Sequence, residues 1–161
     1  MNDLGVLYER YAPDVFRFAL YLSGDRDEAA DLTSEAFVRA WTAPEPLRMA
    51  TVKGYLFTIA RNLYLQGLRR KKRHVELDEV LQESLPDPAA GPLRRAEESS
   101  EIRTVLAALQ KLPELDRAAL LMRAMDELPY EEIARALGIS LAAVKVKIHR
   151  ARLALAGIRN R

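Results

Sequence analysis

Cysteine is absent from the 161 residues, so neither a disulfide framework nor a thiolate metal site can be built. The two histidines, His74 and His149, stand too far apart in the chain to suggest a ligand pair, and no metal or cofactor is expected. Nowhere do about 18 apolar residues run together, the length a membrane span requires. The opening stretch "MNDLGVLYERYAPDVF" carries an early acid and no basic segment leading into an apolar run, so no export signal and no membrane contact are expected. The parts of an enzyme are missing too: no nucleophile with its base and orienting partner, no phosphate-cradling glycine loop, no cluster of metal ligands. What remains is 49% hydrophobic and 30% charged, the composition of one ordinary globular domain or two small ones.

The most informative absence is that of acid. Summed over residues 1–46, 47–75, 76–101, 102–132 and 133–161, the formal charge runs −5, +8, −6, −2 and +7, and the two positive blocks hold no Asp or Glu at all. The total of +2 conceals them. A solvated surface mixes signs, so acid-free stretches of this length point to faces that meet a polyanion. In the first, "GYLFTIARNLYLQGLRRKKRH", Tyr55, Phe57 and Tyr64 are interleaved with Arg61, Asn62 and the cluster from Arg69 to Arg73.

Apolar spacing of three or four throughout predicts an all-α chain. Val15, Phe18, Ala19 and Leu22 continue a stripe begun by Leu7 and Tyr11, with Pro13 expected to restart or kink the helix. Asp25, with Glu28 three residues on, is placed to cap a helix ending near Trp41. Phe37 and Trp41 are expected in the core. "TAPEPLRMA" is a loop, and a long helix follows from about Thr51 to Arg73. Residues 75–96, rich in acid and proline, read as a flexible linker between two small helical domains, 1–74 and 97–161. Each is small enough to bury only about 60% of its unfolded surface and is expected to be modestly stable alone.

The sharpest local pattern is "LPYEEIARALGISLAAVKVKIHRARLAL", residues 128–155. Pro129 suits the first turn of a short helix, with Glu131 and Glu132 at its positive end. Gly138 permits a left-handed turn, and Ser140 can cap a second helix. In that second helix Val144, Ile148, Ala151 and Leu155 share one arc, while Lys145, His149, Arg150 and Arg152 project away from it. This is a helix-turn-helix whose second helix offers a basic face to a major groove. Lys147 and Arg152 suit phosphate; Ser140, Lys145, Val146 and His149 lie nearer the base edges. The competing reading is a helical hairpin with a merely solvated basic face.

With these motifs in this order the chain resembles the extracytoplasmic-function (ECF) group of bacterial RNA polymerase sigma factors. "DEAADLTSEAFVRAW" is similar to the family's core-polymerase-binding helix, "VKGYLFTIARNLYLQGLRRKKR" to its promoter-melting helix, and residues 128–155 to its upstream-element helix-turn-helix. The resemblance implies that Asp31, Leu32 and Glu35, with Phe37 behind, hold core RNA polymerase. It implies that Asn62 lines a pocket for a flipped base, with the loop from Leu47 to Thr51 as its rim. Lys53, Arg61, Arg69 and Arg70 would then hold phosphates of the downstream element. Tyr55, Phe57 and Tyr64 are open to two readings, as core residues or as faces for unstacked bases.

The implied partners are core polymerase, promoter DNA as duplex and as melted single strand, and a separate anti-sigma factor, in a bacterial cytoplasm. The linker would avoid DNA and follow a basic channel in the enzyme. The chain departs from the family pattern at Ser34, Tyr55, Pro129 and in "AAVKVKIHRAR", where Val146 offers a methyl contact in place of a hydroxyl. Two rival readings use less of the sequence. A helix-turn-helix operator-binding regulator leaves the first basic block unexplained, and a sigma-like interaction protein needs neither basic block.

Overall fold

The N-terminal helix α1, Leu4–Ser23, puts Val15, Phe18, Ala19 and Leu22 wholly out of solvent on one face. It neither restarts nor breaks at Pro13, contrary to expectation. Pro13 is exposed, and so is Glu9, whose carbonyl loses its helical partner to the ring and can turn to water instead. Gly24 ends the helix at φ 77°, its N–H returning to the Leu20 carbonyl at 2.7 Å. The chain then reverses into α2, Arg26–Thr42, where the Asp25 carboxylate accepts from the N–H groups of Asp27 and Glu28 at 2.8 and 3.0 Å. This is the expected cap.

The computed structural model describes residues 4–43, 51–81 and 99–159, and every element among them is a helix. Helix α3, Val52–Leu81, continues past the expected stop near Arg73 into the segment read as linker. Its Leu56, Phe57, Ala60, Leu63 and Tyr64 are buried against α1 and α2. Phe57 stacks on Phe18 with ring centroids 4.5 Å apart. Burying each such ring contributes about 1.5–3 kcal/mol. The rim residues 47–50 and the linker residues 82–96 lie outside the described residues.

Four helices form the C-terminal domain: α4, Ser100–Gln110; α5, Glu114–Asp126; α6, Tyr130–Leu137; and α7, Leu141–Arg159. Ser99 caps α4 through the N–H of Ile102 at 3.2 Å. Helix α5 is buried on most sides, with Ala118, Ala119, Leu120, Leu121 and Met122 all in the core. It packs on α7 and α6 and also on α1 of the other domain. Helix α4 likewise touches α1, and α6 touches α3. The buried apolar residues of the two domains therefore make one continuous cluster. Trp41, expected in that core, is 54% exposed at the end of α2, beyond the reach of α1 and α3.

Candidate nucleic-acid and polymerase interfaces

The helix-turn-helix forms as its local signals predict. Helix α6 ends at Gly138, φ 68°, whose N–H reaches the Ala134 carbonyl, and the Ser140 hydroxyl accepts from the N–H of Ala143 at 3.1 Å. Val144, Ile148 and Ala151 are buried, anchoring one side of α7, and Leu155 is half-buried beside them. Ser140, Lys145, Val146, His149, Arg150 and Arg152 are exposed along the helix, while Lys147 is half-buried at the packed edge.

Beneath this face lies a residue that sequence reasoning missed. The Asp116 side chain on α5, 4% exposed, accepts from Arg150 Nη2 at 3.2 Å and lies 3.7 Å from Lys147 Nζ. It holds both cations in fixed directions and neutralises part of their charge. No periodicity marks it, because its partners lie on another helix.

The first basic block is divided. Along one side of α3, Asn62, Arg69 and Arg70 are exposed, and Lys71 reaches Glu28 at 3.2 Å. Two other cations expected to face DNA, Arg61 and Lys53, are paired with carboxylates instead. Arg61 is 8% exposed, and its guanidinium donates through Nε and Nη2 to both oxygens of Glu114 at 2.8 and 2.6 Å. Lys53 lies between Asp14, at 3.2 Å, and Asp126, at 3.3 Å. Burial pulls the Lys53 ammonium down, but the hydrogen bonds and charges of Asp14 and Asp126 outweigh it and leave the group above its ordinary value. Burial pushes the Asp126 carboxyl up, and the Lys53 hydrogen bond and charge offset this only in part.

The aromatic residues resolve unevenly. Phe57 is wholly buried, and Tyr64 is 5% exposed with its hydroxyl accepting from Arg117 Nη2 at 3.2 Å. Burial raises the Tyr64 phenol above its ordinary value, against the opposing charge of Arg117. Neither ring offers a face to a base in this arrangement; Tyr55, half-buried, is the ring of the three nearest to solvent. Helix α6 contributes Glu132, expected to sit in the field of its own helix. It is buried instead, its Oε1 accepting from the Thr51 N–H at 2.9 Å and the Thr51 hydroxyl at 2.7 Å.

Between α2 and α3 runs an open groove lined by Asp27, Asp31, Leu32, Glu35, Leu63 and Arg70 among others. Asp31 and Glu35 are exposed on its rim, with Glu35 paired to Arg39 at 3.1 Å. Leu32 is 8% exposed in its floor. Phe37, grouped with them as a contact, is 2% exposed and meets Tyr8 of α1 edge-on at 5.0 Å, so it is a core residue in this arrangement. Among the described residues no His, Cys, Asp and Glu side chains are grouped to hold a metal ion, and no helix is long and apolar enough to cross a membrane.

Comparison with known proteins places these surfaces in a family. Residues 7–74 match the model for sigma-70 region 2, and residues 102–155 match that for sigma-70 region 4. The chain is 35% identical over 153 residues to the ECF RNA polymerase sigma factor SigE of Mycolicibacterium smegmatis, covering 91% of this chain and 57% of that protein. It is 33% identical over 157 residues to the ECF RNA polymerase sigma factor SigM of Bacillus subtilis, covering 96% of this chain and 94% of that protein. The fold superposes on the sigma factor RpoE of Bartonella quintana, crystallised with the anti-sigma factor NepR, with a TM-score of 0.79, 26% identity and coverage of 99% and 98% of the two chains. A basic helix-turn-helix, a second basic helix and an acidic groove, in this order and with these relatives, identify the chain as a member of the ECF group of the sigma-70 family of RNA polymerase sigma factors.

Proposed function

We propose that this chain directs core RNA polymerase to a set of promoters by gripping DNA at two places, and itself performs no catalysis. Helix α7 enters the major groove of an upstream (minus-thirty-five) element, with Lys145, Val146 and His149 toward base edges and Arg150 and Arg152 toward phosphate. Helix α3 captures the downstream (minus-ten) element as it opens: Asn62 meets an extruded base, and Lys53, Arg61, Arg69 and Arg70 neutralise the strand's phosphates. The acidic rim of Asp31 and Glu35 above Leu32 fits a basic helical surface of the polymerase. The workplace is the cytoplasm, where polymerase is, and a separate anti-sigma factor restrains the protein. Support for that partner is the likeness to RpoE, whose structure holds such a factor.

The observation that carries this reading is the pairing of the capped helix-turn-helix, whose exposed α7 face holds Lys145, His149 and Arg152, with an exposed Asn62–Arg69–Arg70 face on α3. An operator-binding regulator accounts for the first and leaves the second idle. The test is run-off transcription from a promoter library with core polymerase, with and without the chain. Initiation that depends on the chain is expected; transcription indifferent to it would reject the proposal.

A further inference from the structure

Asp116 of α5 sits beneath the exposed side of α7, and its partners are of one kind. Both are cations of α7: Arg150 Nη2 donates to Oδ1 at 3.2 Å, and Lys147 Nζ stands 3.7 Å from the same oxygen. Lys145, His149 and Arg152, on the same helix, meet no carboxylate among the described residues. We propose that Asp116 is a specificity-determining positioning residue for the upstream duplex. By tethering Lys147 and Arg150 it lets them meet phosphate in one register only, and it weakens the grip they would otherwise take on DNA of any sequence. This rests on the reading of α7 as a major-groove helix given above.

The geometry suits a tether. Lys147 and Arg150 are three residues apart and share a face of α7, so one carboxylate between them can hold both. The Arg150 side chain is still 56% exposed, which leaves it free to meet DNA while one nitrogen is held; Lys147, at 20%, is held closer to the packed edge. An untethered lysine or arginine turns through many rotamers and follows whatever phosphate comes near. Phosphate contacts carry no sequence information, but they fix the register in which a recognition helix lies. Cations held in one direction grip only where phosphates fall in that direction. That register is the one in which Lys145, Val146 and His149 meet their base edges.

Stability alone does not call for this carboxylate. Helices α5 and α7 pack closely, and both contribute buried apolar residues to one cluster. A side chain only 4% exposed has lost most of its hydration, and an apolar residue of similar size commonly holds two helices together as well or better. Its place in the first turn of α5, at the positive end of the helix, offsets part of that cost. What the charge adds is a direction for Lys147 and Arg150.

The test uses the full chain bound to core polymerase. The unaltered holoenzyme first selects its preferred upstream element from promoter duplexes randomised there; the selected duplex, and a copy with that element scrambled, become the dye-labelled probes. Affinity for each is read across a salt series for the unaltered chain, Asp116→Ala and Asp116→Asn. Asp116→Ala is expected to bind the scrambled duplex about threefold more tightly, with a salt slope steeper by about 0.9 for one cation set free. It should bind the selected duplex about threefold more weakly, so that its preference falls about tenfold. Asp116→Asn keeps an acceptor for Arg150 without the charge, and its preference should fall about threefold. Glu131→Gln, at an exposed position on the neighbouring α6, is the charge control: it should shift both affinities alike and leave the preference unchanged.

A purely structural role would lower both affinities together, and that result would overturn the proposal. So would an unchanged preference, or an equal loss of preference in Glu131→Gln. In the background Lys147→Ala/Arg150→Ala, Asp116→Ala should alter the preference no further; a further loss would place the effect outside the two cations and reject the proposal. If Asp116→Ala loses its helical signal, Asp116→Asn decides by the same criteria. A holoenzyme of the unaltered chain that selects no upstream element would end the major-groove reading of α7, and the role of Asp116 with it. Selection by the unaltered chain together with undiminished preference in the variants would reject the role of Asp116 and leave that reading standing.

Discussion

The two acid-free blocks have nearly the same charge and the same helical form, and the fold treats them differently. In α7 the apolar arc of Val144, Ile148 and Ala151 is buried, and Lys145, His149 and Arg152 stand out along the exposed remainder. In α3 apolar residues fall on more than one side because the helix packs against α1 and α2 and is met by α6 at its start and by Glu114 and Arg117 of α5 farther along, so Arg61 and Tyr64 become interior residues. A helix at the edge of a fold shows its charge; a helix at the centre shares it with whatever packs on it. Charge patterning locates a polyanion-facing segment, and tertiary packing decides when that segment is available.

The largest effect should come from removing the platform under the covered block. Phe57→Ala deletes a ring with no exposure that stacks on Phe18 and should cost about 3–5 kcal/mol, read by urea unfolding followed by circular dichroism. Because the apolar cluster is continuous across both domains, the loss should appear as one shifted transition. Two separate transitions would show that the domains are independent and that the difference between the blocks owes little to interdomain packing.

A smaller effect sharpens the contrast in DNA binding. Lys145→Ala on α7 should weaken binding of the upstream duplex by about 1–3 kcal/mol and relax its sequence preference, measured on the polymerase-bound protein with matched and mismatched sites. Arg69→Ala on α3 should leave that preference unchanged and instead lower the yield of permanganate-reactive open promoter. If the two variants gave the same pattern, the assignment of paired DNA to one block and parted strands to the other would fail.

How much of this was legible in the sequence follows from the range of each signal. The α6–turn–α7 unit was readable because its determinants are local: Pro129, Gly138 and Ser140 each act within a few residues. The Asp25 cap was readable for the same reason. Pro13 misled because a ring in a helix interior costs less where the freed carbonyl can meet water. Trp41 misled because hydrophobicity says nothing about whether another element reaches the end of α2.

The interdomain contacts could not be read at all. Arg61 and Glu114 lie 53 residues apart, and no periodicity pairs them. One hint was present: the mildly acidic block 102–132 contains Glu114, Asp126 and Glu132, three carboxylates in a segment otherwise fit for a helical core. Such residues ask where their charges go.

A smaller loss again is expected at the start of the exposed block. Ser140→Ala removes the cap of α7 and leaves the Ala143 N–H without its 3.1 Å partner, at about 1 kcal/mol, while Ser140→Gly should cost only a few tenths. Thermal melting followed at the helical signal reads both, and equal losses would mean that the hydroxyl does not cap.

The smallest effect lies in pH and belongs to the covered block. The Asp126 carboxyl is raised from 3.8 in the folded chain, so the folded state holds that proton more tightly than the unfolded one. Its contribution to stability is therefore greatest below the unfolded value and declines as pH rises through the window between 3.8 and the raised folded value. Lys53, raised above 10.5, adds no slope there, because its contribution is complete at all lower pH and is lost only as pH climbs through its folded value. The difference in melting temperature between the unaltered protein and Asp126→Asn should then shift in favour of Asn as pH increases from about 4 to 7. A difference that is flat, or that moves the other way, would mean that Lys53 compensates the buried carboxylate in full. The two blocks would then differ in exposure but not in how their charges are held.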